Sequence, residues 1–409
     1  MTASPLALLL AALSAAAAHG DVAVSTADEL RLALAQAQPG TRILVAPGDY
    51  RGYIGVAGLH GAPGKPIVVA AADPERPPVL HGGSECLHLS DIGHVVLRNL
   101  VLVRGGVNCL NVDDGGSPDT PSHHVVLDGL TVRDVTDGGN RDGIKLSGVD
   151  DFLVRGCTVE RWGGGGSAID MVGCRRGIIT GSTFRHRDGQ GATGVQAKGG
   201  TRDLLVHRCR FQDAGRRAIN LGGCTDKHTR PPDVTYQASR VVAVGNTFVG
   251  SDAAVAFVGS DACGAAFNTI YRPRSWVLRI LQESRQPRFV PCRNGEFRGN
   301  LVVWRWRELK AAADVRDATQ PETFRFAGNW WFCEDRPSRS RPDLPVPERD
   351  GVVGREPALV VDGLDIRAEA APGHGAHAAR AAELFRQLGP KLAPWAYRTL
   401  LHLEQPGAR

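Results

Sequence analysis

Short apolar segments recur through the middle of the chain: VLRNLVL (96–102), VLDGLTV (126–132), LVRGCTV (153–159), IITGSTF (178–184), LVHRCRF (205–211), VAVGNTF (242–248), AAFNTI (265–270), EFRGNLVV (296–303) and RFAGNWW (325–331). Aligned, they give one column of Leu100, Leu130, Cys157, Ser182, Cys209, Asn246, Asn268, Asn300 and Asn329. Two residues on lies an apolar column of Leu102, Val132, Val159, Phe184, Phe211, Phe248, Ile270, Val302 and Trp331. Successive repeats are 22 to 37 residues apart. Such a unit cannot bury its apolar face alone, and stacking the units makes a continuous core. β-Branched and aromatic residues alternate with polar ones and no helical period is present, so the units are strand-like. This excludes leucine-rich and all-helical solenoids and predicts an all-β parallel β-helix. The Asn column is read as a structural ladder whose amides bond along the axis.

Each coil holds a second strand: CLHLS (86–90), CLNVD (109–113), GIKLS (143–147), AIDMV (168–172), GVQAK (194–198), AINLG (218–222), AVAFV (254–258) and VLRIL (277–281). Alternation turns Leu87/Leu89, Leu110/Val112, Ile144/Leu146 and their counterparts inward. The outward column then reads His88, Asn111, Lys145, Asp170, Gln196, Asn220, Ala256, Arg279. A neighbouring column of Gly143, Ala168, Gly194, Ala218 and Ala254 reads as a floor of small residues beside it.

A solenoid needs covered ends, because an open end exposes unpaired strand edges. STADELRLALAQAQPG (25–40) has capping-box spacing from Thr26 to Glu29 and places Leu30, Leu34 and Ala37 on one face before Pro39-Gly40. It predicts a capping helix within 21–41, after which RILVAPGDY (42–50) reads as the first strand. The β-helix is expected over 42–335, with an irregular excursion near 304–325. The tail, 336–409, is expected to hold one or two helices broken near Pro390 and Pro394.

Composition adds little to this. Net charge is +5 over 409 residues, and no dense Lys/Arg block interleaved with aromatics appears, which argues against a nucleic-acid partner. The apolar run Leu6–Leu13 and the small residues to Ala18 read as a signal peptide over 1–20, which implies a secreted or periplasmic protein; a monomer is expected. That run is too short for a membrane span. Nine cysteines fit an oxidising compartment. Cys86 and Cys109 fall at equivalent places on adjacent coils, so a disulfide between them is geometrically possible, and Cys292 and Cys333 are candidates to tie down the excursion. His123-His124 and His186 fall in or near expected loops without partner ligands at recognisable spacing.

ADELRLALAQAQPGTRILVAPGDYRG, then GKPIVVAAAD and the coils ending in Asn-Thr-Phe, resembles right-handed parallel β-helix proteins, above all the polysaccharide lyase family of chondroitinase B and alginate lyases. The right hand also follows the rule for parallel crossovers. The resemblance implies an acidic, uronic-acid polysaccharide as substrate and β-elimination as the reaction, with a central-coil Lys as base, an Arg one coil on and calcium held by acidic residues. Lys198 stands at the position of that Lys, and Arg217 is the nearest substitute for the Arg. Where the family has acidic residues and an Arg-His pair, this chain has Gln196 and Asn220-Leu221. The substrate-binding set is then Lys145, Asp170, Gln196, Asn220, Arg279 and Asn111; Asp170 and Asn111 are the plausible calcium ligands, and no metal ligand is assigned. The glycines after Lys198 are read as room for a sugar ring, and Lys145, Arg216 and Arg217 as cations that activate it. Two alternatives stand beside this reading. One is a carbohydrate-binding or structural β-helix without turnover. The other follows from NRDGI (140–144), which resembles the Asn-x-Asp-Gly-Ile strand of polygalacturonases. That likeness implies an inverting hydrolase with Asp142 and Asp170 on either side of the scissile bond.

Overall fold

The structure is a computed structural model that describes residues 20–187, 191–226 and 228–405. The leader expected over 1–20 lies outside them, Gly20 apart. Three parallel sheets of thirteen, twelve and ten strands lie between residues 21 and 353. In each sheet the strands follow chain order, so the central coils each contribute one strand to each face of a parallel β-helix. The register stacks like on like. In the ten-stranded sheet Leu110, Ile144, Ile169, Val195, Ile219, Val255 and Leu278 lie in one row.

The interior is a single apolar column through the coils. Phe184, Phe211 and Phe248 stack within it, with ring centroids 4.9 and 4.6 Å apart. The expected Asn ladder is present and fully buried. Asn246 receives its bonds from Cys209 and gives them to Asn268, then Asn300, then Asn329, at 2.9–3.0 Å. Glu348 closes the ladder by accepting from both the backbone and the side-chain amide of Asn329 at 2.7 Å. The residue before this column has a left-handed backbone in every coil, φ 50–67° from Asn99 through Gly129, Gly156, Gly181, Arg208, Gly245, Phe267 and Gly299 to Gly328. That bend joins the thirteen-stranded sheet to the twelve-stranded one. It explains why glycine recurs there, since a Cβ makes this conformation costly.

The cap helix spans Ala27–Gln36, with Thr26 accepting from the Glu29 N–H and with Leu30 and Leu34 buried. It stops before Ala37, and an additional strand, Asp21–Val24, precedes it and pairs with Arg42–Val45. The first strand is therefore one earlier than its apolar content suggested. The expected excursion still supplies Ala311–Val315 to the ten-stranded sheet. At the far end, helices Ala379–Leu392 and Pro394–Leu403 break at Ala393, because a proline at the next residue disfavours helical backbone before it. Pro390 lies inside the first helix and does not end it. Both helices pack on Val126, Leu153, Ile178, Leu205 and Val242, an outward apolar row of the thirteen-stranded sheet. No described helix is long and apolar enough to cross a membrane. The nine cysteines are free thiols, eight of them buried, so Cys86 and Cys109 are not bridged and Cys292 and Cys333 tie nothing down through a disulfide. The Cys86 thiol donates to the Val103 carbonyl instead, at 3.1 Å.

Asn268→Ala would strand the backbone and side-chain donors of Asn246 in a dry interior. Unsatisfied buried groups cost about 1–3 kcal/mol each. Denaturant unfolding should show a loss of about 3 kcal/mol; a loss below about 0.5 kcal/mol would mean that the ladder carries no load.

Candidate functional site

The outward column of the ten-stranded sheet converges on one carboxylate. Asp170 sits on strand Ser167–Val172 and its side chain has no solvent exposure. Lys145, one coil earlier on Ile144–Ser147, pairs with its Oδ2. Lys198, one coil later at the end of Thr193–Lys198, places Nζ 3.1 Å from its Oδ1. Gln196 donates to the same Oδ1 at 3.0 Å and accepts from Asn220 at 3.0 Å. Burial works against the Asp170 charge, but Lys145 and Lys198 outweigh it and hold the carboxyl below its usual value. Burial also opposes the Lys145 charge; Asp170 and Asp142 outweigh it and raise this ammonium. One anion thus fixes two cations, which keep 19% and 12% of their side-chain surface exposed.

Lys145 and Lys198 line a cleft of about 650 Å³. Its walls are two loops, one around Asp114–Pro118 and the other around Cys224–Pro232. Arg230 clamps them together. Its Nε donates to the Pro118 carbonyl at 2.6 Å, while its Nη1 meets Asp150 at 3.2 Å and the Gly173 carbonyl at 3.3 Å. Arg288 holds the second loop from its other side through the Asp226 carbonyl at 2.8 Å.

The glycines after Lys198 serve this wall and not a sugar. A Cβ on Gly199 would fall 2.7 Å from the His228 carbonyl oxygen, and one on Gly200 would fall 2.4 Å from that of Arg230. Only glycine lets the loop backbone lie against the strand end. The small-residue column is likewise no groove floor. Ala168, Ala218 and Ala254 are buried, and a Cβ on Gly194 would meet the Ala218 carbonyl at 2.3 Å.

Other expected residues lie elsewhere. Arg217 shares the inward parity of Ile219 and leaves at the strand end, where Glu283 holds it at 2.5 Å. Arg279 pairs with Asp314 at 2.7 Å and lies over Trp276, three coils beyond Gln196. Between them Ala256 packs with Val258 and Leu281 and interrupts the polar column. Lys198 therefore meets a carboxylate, and the arginine expected to activate it is spent on Glu283. Calcium does not fit at Asp170, whose oxygens face two ammonium groups and an amide donor. Hydrolysis by Asp142 and Asp170 does not fit either. Both are buried, Asp142 is pushed up to about 6 by burial and by Asp170, and one of its oxygens accepts from the Ser167 N–H at 2.7 Å.

Sequence reading placed His88 and Asn111 in the outward column but missed the network that His88 makes with Tyr53 and Asp113. Asn111 reaches not towards Lys145 but to His88, at 3.3 Å. His88 bonds Asp113 at 2.6 Å and the Tyr53 hydroxyl at 3.0 Å, and Asp113 raises the pKa of its ring. Gly55, opposite His88 in the ladder, leaves the surface over which the Tyr53 ring lies. The only signal was Asp113, two residues beyond Asn111 on the outward face.

Asp170→Asn removes the shared counter-ion. Breaking a buried pair costs roughly 3–5 kcal/mol, and the residual exposure of the lysines sets the expected loss at the lower end, about 3 kcal/mol by chemical denaturation. An unchanged midpoint would contradict the pairing. Asp142→Asn should do the opposite. The Asp142 carboxyl takes up a proton on folding between its ordinary value of 3.8 and about 6, so wild-type stability falls as pH rises through that window. Stability measured from pH 4 to 7 should fall less steeply in the variant; parallel curves would contradict this.

A family model described as "Right handed beta helix region" matches residues 108–270. No curated protein matches the sequence. Among solved structures, an alginate lyase from Paenibacillus sp. str. FPU-7 superimposes with TM-score 0.51 at 18% identity, covering 73% of this chain and 96% of that one. A GH136 lacto-N-biosidase from Eubacterium ramulus gives 0.54 at 12% identity, covering 85% and 70%. At such identities the likeness is one of fold, and one of these proteins is a lyase while the other is a glycosidase. The stacked sheets, the family match and both superpositions agree that this chain is a right-handed parallel β-helix.

Proposed function

We propose that the protein binds and cleaves a uronic-acid polysaccharide by β-elimination in the cleft above Asp170. The observation that carries this reading is a pair of lysines fixed by one buried carboxylate on the floor of a walled cleft. Such a pair suits a polyanion, because its cations are oriented before the substrate arrives and need no reorganisation. Lys145 would meet the uronate carboxylate and stabilise the charge that develops when the adjacent carbon loses its proton. Lys198 would first give up one proton to solvent, keep an N–H on Asp170 and turn the freed lone pair to the cleft. It would take the C5 proton; those electrons form the C4–C5 double bond as the C4–O bond breaks. The ammonium so formed returns the proton to the leaving oxygen, which balances the step. Gln196 and Asn220 act through Asp170 and are positioning residues. The apolar run near the N-terminus fits export to where such polymers are met.

The test follows the ultraviolet absorbance of the unsaturated uronate over alginate, pectate, chondroitin and heparin-type chains, with and without calcium. Wild type should generate it on at least one polymer, calcium should be dispensable, and Lys198→Ala should lower kcat by about 10²–10⁴. Equal rates in the two proteins would remove Lys198 from the chemistry. Silence on every polymer, with tight binding retained, would make the cleft a carbohydrate-binding site without turnover.

A further inference from the structure

Outside the cleft, the thirteen-stranded sheet gathers three histidines that the mechanism does not use. His94 lies on strand Gly93–Arg98, and His123 and His124 lie on Ser122–Asp128 of the next coil. The register pairs His123 with Gly93 and Val125 with Val95, which sets His124 opposite His94. Successive strand residues ordinarily point to opposite faces. Here His94 and His124 have left-handed backbones, φ 53° and 58°, and the local bend brings the adjacent rings of His123 and His124 together. Their centroids are 4.9 Å apart, and their Nδ1 atoms approach to 2.8 Å. His94 stacks on His124 at 4.3 Å.

We propose that His94, His123 and His124 form a binding site for a late first-row divalent metal ion, zinc foremost. One ligand-capable nitrogen from each ring lies within 4.8 Å of those from the other two. A tetrahedral ion with bonds of about 2.0–2.1 Å holds its ligands roughly 3.3 Å apart, so small ring rotations close the site. Three imidazoles select zinc, copper, nickel or cobalt over calcium and magnesium, which take oxygen ligands. All three rings are only partly buried, so an ion can enter.

The surroundings support this reading. A Cβ on Gly93 would fall 3.1 Å from His123 Nε2 and 3.2 Å from His60 Nδ1, so the glycine clears the space that these two rings share. His60 Nε2 lies 3.4 Å from Asp91, an arrangement that orients its other nitrogen. His60 is thus placed beside the fourth position, which water takes otherwise. Further along the sheet the same column holds Asp151, Arg176, Asp203 and Arg240, tied as ion pairs at 2.8 and 2.6 Å. Its first two positions hold imidazoles instead. Trp395 of the last helix packs against His124 at 4.8 Å, so a bound ion would brace the site at which the C-terminal helices dock.

The test uses tag-free, chelator-treated full-length protein at neutral pH. Titration calorimetry with zinc should give one ion per chain, and cobalt(II) should give the visible absorption band of a tetrahedral nitrogen site. His94→Gln and His124→Gln should each weaken zinc by more than the roughly 10–100-fold that an outer partner is worth. His60→Gln should weaken it by less, and Lys198→Ala should leave it unchanged. A folded wild type that takes up no zinc saturably, or that shows only the hexaaquo cobalt spectrum, overturns the proposal without recourse to variants. So does undiminished binding by a folded His124→Gln.

Discussion

The constraint on which everything here depends is the in-register stacking of parallel coils, about 4.8 Å apart. Each side chain has a counterpart directly above and below it, so a residue type that suits one coil must suit its neighbours or be compensated by them. Apolar residues meet this requirement trivially and give one continuous core. Asparagine meets it because a single amide both donates and accepts along the axis. Charges do not, since like charges one coil apart repel. Charges of opposite sign therefore neighbour one another in several outer columns, as in Lys145 and Asp170, or in Asp151, Arg176, Asp203 and Arg240.

The candidate site is one instance of that alternation with an added demand. Asp170 lies wholly beneath the surface, and a buried carboxylate persists only when it is paired and hydrogen-bonded. Two lysines and Gln196 satisfy it, and the lysine heads are thereby held at the cleft floor in place of sampling solvent. Elsewhere on the column the same logic closes the surface: Arg279 is absorbed by Asp314, and Arg217 by Glu283. What separates the Asp170 group is the pair of loop walls that the Arg230 clamp holds over it.

Much of this was legible in the sequence because stacking repeats itself. The Asn and Phe columns, the inward Leu/Ile/Val pairs, the cap helix and the outward order from His88 to Arg279 all follow from strand alternation at a fixed repeat. The remainder depends on segments that carry no repeat. Gly199 and Gly200 read as space for a ligand, yet they accommodate the loop carrying His228 and Arg230, whose path has no periodic signature. The small-residue column keeps the outward parity of its strands, yet neighbouring backbone covers it: a Cβ on Gly194 would meet the Ala218 carbonyl. Arg217 shares a strand with Asn220 but has the wrong parity to join it. His94 lies some thirty residues from His124, and only the coil register brings the two together. Tyr53 reaches His88 because Gly55 has no side chain, a relation between loop and strand that spacing does not encode.

The most direct measurement is a crystal structure of Lys198→Ala with an oligosaccharide of whichever uronate polymer wild type degrades. The chain should lie in the cleft between the 114–118 and 224–232 loops. One uronate carboxylate should be on the Lys145 ammonium, and the adjacent C5 should face the space vacated at position 198. An oligosaccharide seated on another face, or in the cleft with its carboxylate turned away from Lys145, would contradict the assignment of this lysine pair as the centre of function.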